Sequence, residues 1–195
     1  MKRNLAGTIL DGIVRMSSTR TNYWAEVVLD SALGCVLVVA GWQHHGSSPI
    51  GAVLAVVLGL LTFSFFEYVF HRWMFHTGIP LFEQGHRMHH EHPLGYDSLP
   101  FFLPGAVLVI LTGLCMMVAP TGFALMMMGS VTFGYIAYGL SHFAIHHVRF
   151  KRPLLRRWAG AHHVHHYHPD CNFGVTTPLW DVVLGTRYVR KAREL

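Results

Sequence analysis

The chain has 195 residues, of which 52% are hydrophobic and 13% are charged, about half the charged fraction of roughly 25% that is typical of soluble domains. This composition excludes a soluble globular enzyme and a disordered chain. The formal net charge of +5 would also be compatible with nucleic-acid binding, and the positions of the basic residues decide whether it indicates this. Three scattered cysteines exclude a disulfide framework, a zinc knuckle and a cysteine-ligated cluster, whereas 16 histidines are far more than a chain of this length ordinarily carries.

The first predicted element is an apolar segment at residues 27–42, which follows an N-terminal segment of mixed polarity at residues 1–26. The apolar segment has 16 residues and contains Asp30, whereas a membrane-spanning helix needs about 20 residues. We therefore expect it either to span the bilayer with tilt or to enter it in part.

Two longer apolar runs follow. Residues 49–70 form a 22-residue run, interrupted by Glu67 near its end, that would cover about 33 Å as a helix. Residues 98–141 are 44 residues without a charged side chain, which is enough for two spans joined by a tight turn at residues 119–122. The sequence thus predicts an all-α integral membrane protein with about four transmembrane helices.

The basic residues all fall on one side of this predicted topology. With four spans, both termini, the segment between Glu67 and Ser98 and the C-terminal tail share one side, and all 15 Lys and Arg residues lie there. The positive-inside rule identifies that side as the cytoplasm, in a bacterial inner membrane or the endoplasmic reticulum. The positive charge is therefore explained by topology and by attraction to anionic lipid headgroups, and no sequence motif favours nucleic acid.

Ten histidines lie in four groups near the ends of the predicted spans, on the cytoplasmic side. The groups have the spacings HxxxxH, HxxHH, HxxxH and HxxHH. Residues i, i+3 and i+4 share one face of a helix, so each HxxHH group can present three imidazoles together. Neutral imidazole suits Fe, Cu and Zn, and ten converging imidazoles exceed what one metal can use, which favours two metals. The candidate ligands are His71, His76, His86, His89, His90, His142, His146, His162, His165 and His166.

The remaining histidines and the first pair require separate interpretations. His71 and His76 are five residues apart, about 140° around an ideal α-helix, so both can ligate if the helix frays or if they hold the metal from two sides. Histidines close to the candidate ligands are equally compatible with a supporting role and with solvation; they are His92, His147, His163 and His168. His44 and His45, on the opposite side, are interpreted as incidental.

Imidazole ligation of this kind suits oxygen activation. It leaves two Fe(II) ions with open positions and little neutralising charge, so the site can bind and reduce dioxygen and hydroxylate an unactivated C–H bond at the bilayer surface. The protein would fix the ligand geometry through supporting hydrogen bonds and hold the substrate carbon nearby. The carboxylates that could accept hydrogen bonds from the imidazoles are Glu83, Glu91, Asp97, Asp170 and Asp181, although each also fits a solvated or capping role.

The histidine motifs and their surroundings resemble the fatty acid hydroxylase/sterol desaturase superfamily and, within it, the fatty acid 2-hydroxylases. The matching stretches are residues 66–76, 86–90, 98–104, 134–146, 162–166 and 172–186. One HxxHH motif alone is weak, but four histidine motifs in this order between hydrophobic pairs are specific. The resemblance covers about residues 66–187, nearly two thirds of the chain, and predicts a catalytic core within a single membrane domain at residues 1–195.

The resemblance implies a dinuclear iron site held by the same ten histidines, with O2 as co-substrate and a fatty acyl chain hydroxylated at its 2-position. It also implies a four-helix membrane bundle under a cytoplasmic helical cap, and that zinc can replace iron in purified protein. Two features depart from some family members. The sequence contains no haem-binding cytochrome domain, and nine residues separate His76 from His86, a short connection that is expected to alter substrate access.

Electrons are therefore expected from a separate protein of the cytochrome or ferredoxin type. Among enzymes, a carotenoid or sterol hydroxylase or a desaturase would use the same kind of histidine ligands. The spacing of the histidines cannot distinguish between these activities. A metal-binding membrane transporter is the alternative from another class, but it should carry ligands near the bilayer midplane. A membrane b-type cytochrome should carry single histidines inside facing spans. The long apolar runs contain neither pattern.

Overall fold

The structure is a computed structural model that describes residues 5–44, 48–76 and 79–190. Within these residues the regular elements are helical. They are α1 (Leu5–Ser17), α2 (Arg20–His44), α3 (Pro49–Val69), a π-helical turn (Phe70–Phe75), α4 (Pro80–Glu91), α5 (Leu103–Met116), α6 (Thr121–His147), α7 (Pro153–Tyr167) and α8 (Leu179–Val183). The prediction of an all-helical chain is confirmed for this part of the protein.

Three helices in the described part of the chain are long and apolar enough to cross a membrane: α2, α3 with its π-helical extension, and α6. Helix α2 is longer than the predicted segment 27–42, because it already begins at Arg20 within the predicted N-terminal segment. Residues 98–141 yield one long helix and one short one. The 14 residues of α5 cover about 21 Å, which is less than the hydrocarbon thickness of about 30 Å.

The turn between these two helices lies slightly earlier than predicted. The helical conformation of α5 ends at Met116, and α6 begins at Thr121 with Pro120 at its N-cap. The connection is therefore Met117–Ala119 and Pro120, and Gly122 is already a buried residue of α6.

Helix α6 is the centre of the bundle. It packs against α2, α3 and α5. Half of the residues in its apolar 18-residue stretch are buried, compared with 28% in that of α2 and 22% in that of α3. The outer helices instead expose large apolar side chains such as Val36, Val53 and Ile110, as expected for helices that face lipid.

Small residues bring the backbones of these helices together. A Cβ atom at Gly59 of α3 would lie 2.4 Å from the carbonyl oxygen of Met127 and 2.7 Å from Cβ of Ser130. A Cβ at Gly41 of α2 would similarly meet the backbone nitrogen of Met126 at 2.7 Å. Such close approach is the usual way in which transmembrane helices gain packing energy.

We expect Gly59→Ala to lower the free energy of unfolding by about 1–3 kcal/mol, because the new methyl group must displace the α6 backbone. Gly113→Ala in α5 is the matched control, since nothing lies within 4 Å of a Cβ at that position. The thermal unfolding temperature of each purified variant in detergent tests the difference. Equal temperatures for the two variants would contradict the close α3–α6 packing.

The connections between the helices place the histidine motifs at one end of the bundle. The π-helical turn after α3, with His76 at its end, carries one motif, the C-terminal end of α6 carries the second, and α4 and α7 carry the other two. Asn22 at the start of α2 fastens this end: its Nδ2 donates to the carbonyl oxygen of Leu99 at 2.6 Å, and its Oδ1 accepts from the backbone N–H of Phe101 at 3.0 Å. The segment that leads into α5 is therefore fixed beside the site.

Candidate metal centre

The structure brings all ten candidate ligands together and divides them into two groups of five. Within each group, one ligand atom per histidine lies within 4.8 Å of every other. The first group is His71, His76, His86, His90 and His165, and the second is His89, His142, His146, His162 and His166. Each HxxHH motif is split between the groups, because its first and last histidines face one group and its middle histidine faces the other.

The spacing of the nitrogen atoms fits a metal ion. In the first group, Nε2 of His86 lies 3.2 Å from Nε2 of His71 and 3.0 Å from Nε2 of His90. In the second group, Nε2 of His162 lies 3.0 Å from Nε2 of both His142 and His146. Metal–imidazole bonds of about 2.0–2.1 Å place neighbouring ligand nitrogens about 2.8–3.4 Å apart, from octahedral to tetrahedral geometry. Each group could therefore hold one metal ion.

The π-helical turn explains how His71 and His76 join the same group. Hydrogen bonds from i to i+5 widen the turn over Phe70–Phe75, so residues five apart lie nearly above one another. The two imidazoles are stacked with ring centroids 5.5 Å apart and an interplanar angle of 15°. Both histidines can therefore join one group without fraying of the helix and without holding the metal from opposite sides. The expectation based on an ideal α-helix was wrong on this point.

Backbone carbonyl groups orient two of the buried imidazoles. Nδ1 of His71 lies 2.5 Å from the carbonyl oxygen of Phe173, and Nδ1 of His165 lies 2.8 Å from that of Cys171. A carbonyl only accepts, so Nδ1 is the protonated nitrogen in both rings, and Nε2 keeps its lone pair for a metal. Such bonds from the second imidazole nitrogen are common in metal sites.

Among the five predicted supporting carboxylates, two have contacts that bear on the site. Asp97 lies 3.5 Å from Nδ1 of His142. Asp181 acts through the backbone: its Oδ1 accepts from the N–H of Phe173, and its Oδ2 accepts from the N–H of Gly174, both at 2.8 Å. It thereby fixes the loop whose Phe173 carbonyl orients His71. Asp170 and Glu91 are exposed, and Glu83 is half-buried in the first turn of α4.

Sequence reasoning missed the role of Glu67, which it treated as an interruption of an apolar run. Oε1 of Glu67 accepts hydrogen bonds from the backbone N–H groups of Val175 at 2.6 Å and Thr176 at 2.8 Å. The Thr176 hydroxyl donates to its Oε2. This carboxylate therefore binds the C-terminal loop to α3, and the signal available in the sequence was an acidic residue in an apolar run, four residues before His71.

The other histidines stand apart from the two groups. His147 stacks on Phe143, His168 stacks on Tyr188, and His163 is exposed with its ring 5.5 Å from that of His146. His92 is exposed after the end of α4, and His44 is exposed at the far end of α2. His45 lies outside the described residues.

Burial favours the neutral form of the candidate ligands on α4 and α7. It lowers the pKa of His90 to about 4, with a further contribution from His76. Burial also lowers the pKa of His165 to about 3, and burial together with the neighbouring imidazoles lowers the pKa of His166 to about 3. Because a metal binds the neutral form, the site is ready for metal at pH 6, where a free histidine with a pKa near 6.5 is mostly protonated.

We therefore expect metal binding at pH 6 to release about one proton or fewer per metal, since the ligands carry almost none to lose. Calorimetric titration of the metal-free protein with Zn²⁺, in buffers of different ionisation enthalpy, measures this number. The expected release is therefore about two protons or fewer per chain with two metals bound. Release of about five or more protons per chain would mean that the imidazoles are protonated before the metal binds.

Comparison with known proteins identifies similar sequences and a similar fold. The fatty acid hydroxylase family matches residues 56–186. Two Arabidopsis thaliana proteins are similar over most of the chain. The dihydroceramide fatty acyl 2-hydroxylase FAH2 is 31% identical, over 86% of this chain and 74% of its own length, and FAH1 of the same description is 30% identical, over 89% and 77%.

The fold has a counterpart among solved structures. The structure of full-length scs7p, in which only the hydroxylase domain is visible, superimposes with a TM-score of 0.75 at 24% sequence identity. The match covers 90% of this chain and 69% of that one. The helical arrangement around the histidine groups is thus shared with a hydroxylase domain.

Proposed function

Since this chain belongs to the fatty acid hydroxylase family, we propose that it is a membrane enzyme that uses O2 to hydroxylate a lipid-linked fatty acyl chain, with the 2-position favoured. The observation that carries the proposal is the pair of five-imidazole groups at the end of an apolar helix bundle. The fatty acyl 2-hydroxylase activity of the two Arabidopsis relatives supports the acyl 2-position.

Two iron ions are the proposed cofactors, one for each group of five imidazoles, with zinc as a possible substitute in purified protein. Iron held by neutral imidazoles would supply dioxygen activation and insertion of an oxygen atom into a C–H bond. The donor set supports this assignment, because imidazole nitrogen suits iron, and five neutral nitrogens in each group would hold the ion without adding negative charge.

The chain's own residues orient the ligands and shape the approach of the substrate. The carbonyl groups of Phe173 and Cys171 hold the Nδ1 protons of His71 and His165, so that both rings point Nε2 at the site. An open cavity reaches His86 of the first group, and its apolar lining there includes Phe75 and Phe82. These aromatic rings would exclude water from the reacting carbon.

We further propose that the histidine end of the bundle faces the cytoplasm, and that residues 66–187 form the catalytic core. The described basic residues at Arg149, Arg152, Arg156 and Arg157 support this orientation, because they are exposed beside α7. A separate electron-transfer protein of the cytochrome or ferredoxin type would then reach the site from the aqueous side. In the proposed topology α5 is one of the four spans, but it is too short to cross the hydrocarbon core even without tilt. It would therefore require local thinning of the bilayer or burial against α6.

The position of the imidazoles argues against a metal transporter. Transporters hold their cargo near the bilayer midplane, in the breaks of discontinuous helices. Here both groups lie beyond or at the ends of α3 and α6, and α6 is continuous from Thr121 to His147. A carotenoid or sterol substrate fits the imidazole geometry equally well, and the acyl substrates of the Arabidopsis relatives favour a fatty acyl chain.

Lipid mass spectrometry of host cells that express the chain tests this proposal. We expect 2-hydroxylated acyl lipids in cells that produce the parent protein and none in cells that produce His162→Ala at equal level. A hydroxyl group at another position, or a double bond, would instead support a different hydroxylase or a desaturase. An oxidised carotenoid or sterol would support an enzyme that acts on that lipid. No oxidised lipid in any fraction, with an electron donor co-expressed, would contradict lipid hydroxylation.

A further inference from the structure

A short segment after the α7 histidine motif exposes an apolar surface that the metal site does not use. This segment, residues 179–190, consists of α8 and the chain that follows it, and we call it the α8 segment. Single exposed apolar residues are ordinary on a protein surface, but six large ones within eleven positions form a patch that indicates an interaction. The six are Leu179, Val182, Val183, Leu184, Tyr188 and Val189.

The contacts between α8 and α3 show how deep in the bilayer this segment lies. Nε1 of Trp180 donates to Oγ of Ser64 at 3.1 Å, and the Trp180 and Phe65 ring centroids are 4.9 Å apart. Residues 43–48 are polar or small, so α3 enters the bilayer near Pro49. Ser64 follows 15 residues later, about 22 Å along the helix axis. Because the hydrocarbon core is about 30 Å thick, α8 lies beside a part of α3 that is still inside it.

The polarity of the α8 segment changes in the order that a membrane surface requires. The apolar residues of α8 come first, and Arg187, Tyr188 and Arg190, all exposed, follow within seven residues of its end. The Tyr68 hydroxyl group lies 3.0 Å from Oγ1 of Thr186, so the chain has reached the end of α3 before the two arginines. Tyrosine and arginine are typical of the interface, where their apolar parts contact lipid and their polar ends reach headgroups or water.

The loop before α8 has the hydrogen bonds that are expected where little water is present. Four consecutive backbone N–H groups, from Phe173 to Thr176, donate to the carboxylate oxygens of Asp181 and Glu67. Unbonded backbone groups are costly in hydrocarbon, and irregular chain is tolerated at that depth only where protein groups satisfy it. Both carboxylates are buried between the loop and the bundle, which leaves the exposed side chains of α8 to contact lipid.

We propose that the α8 segment inserts into the lipid leaflet at the histidine end of the bundle, with Val182 and Val183 among the acyl chains and Arg187 and Arg190 at the headgroups. The bilayer is the partner, because this surface continues the lipid-facing side of α3, where Phe66 is also exposed. The inference requires that α3 spans the bilayer, and it does not depend on the reaction that the site catalyses.

The insertion connects the bilayer to the first imidazole group. Asp181 faces the protein interior from the same helical turn whose Val182 and Val183 face outwards. It fixes the loop whose Phe173 carbonyl orients His71. Contact between α8 and lipid therefore holds that loop in place, and the first imidazole group lies at the membrane surface and not above it.

A spin label attached to α8 tests whether the segment lies in lipid. The full chain, with its three cysteines replaced by alanine, receives Val183→Cys for the label and is reconstituted into phosphatidylcholine vesicles. Alanine at position 171 keeps the backbone carbonyl that orients His165. Electron paramagnetic resonance then compares two collision rates of the label, one with O2, which concentrates in hydrocarbon, and one with a water-soluble nickel chelate.

Two further labels provide the matched controls. Val53→Cys lies on the lipid-facing side of α3, and Val53 and Val183 are both 61% exposed, whereas Arg156→Cys lies on the exposed side of α7. We expect the ratio of O2 to chelate collisions at residue 183 to match that at residue 53 and to exceed that at residue 156 several-fold. A ratio at residue 183 like that at residue 156 overturns the inference. Protection of residue 183 from both reagents also overturns it, because protein and not lipid then covers the patch.

Discussion

His165→Ala is expected to remove one metal ion per chain and to lower hydroxylase activity by more than about 100-fold. His165 is fully buried, its Nε2 lies 3.3 Å from Nε2 of His76, and its Nδ1 donates to the Cys171 carbonyl. Losing a partner that merely orients a metal ligand reduces metal affinity or activity by about 10–100-fold, so loss of the ligand itself should exceed that range. Metal content by mass spectrometry and product formation are both measured.

His92→Ala is the matched control for this variant. His92 is exposed, lies outside both five-histidine groups, and follows directly on the α4 motif. It should keep the parent's metal content and activity. If His165→Ala retained two metals and full activity, the division of the ten histidines into two ligand sets would be incorrect.

Asp181→Asn is expected to weaken metal binding at the first group by about 10–100-fold without touching any imidazole. Asp181 is 1% exposed and also accepts a hydrogen bond from the Thr186 hydroxyl at 2.7 Å. An amide has one acceptor oxygen, so its NH2 group would face the N–H of either Phe173 or Gly174. The loop would then shift, and the Phe173 carbonyl would no longer hold His71.

Selective loss of one metal distinguishes this effect from general unfolding. Metal titration of Asp181→Asn should give one site of parental affinity and one weakened site. Glu91→Gln, a similar change at an exposed carboxylate directly after the α4 motif, should leave both sites intact. Equal weakening of both sites, or of neither, would contradict the assignment of Asp181 to the orientation of His71.

Much of the candidate site could be predicted from the sequence, because metal ligation requires a local spacing of the ligands. The HxxHH motifs each place three imidazoles on one helix face, and the structure brings all of them to the centre. Sequence could not assign the middle histidines, His89 and His165, to the group opposite their neighbours. That division depends on how α4 and α7 face each other, which is a property of the tertiary fold.

Three further features escaped sequence reasoning for similar reasons. The π-helical turn at Phe70–Phe75 adds a residue to a helical turn, and the apolar pattern around it does not show the change. Glu67 finds its partners in a loop that is remote from it in sequence, whereas Asp181 was expected to accept directly from an imidazole and instead accepts from the backbone of that loop. Asp30 was an unexplained charge in an apolar run, and the cavity that it lines is formed by α1, α2 and α6 together.

Oxygen-isotope labelling of the product tests the central claim most directly. The purified chain, loaded with iron and supplied with a chemical reductant under ¹⁸O2, is incubated with N-palmitoyl dihydrosphingosine, and the product is analysed by mass spectrometry. We predict one new hydroxyl group on carbon 2 of the acyl chain, with its oxygen derived from O2. An unchanged lipid, or a hydroxyl oxygen derived from water, would contradict the account.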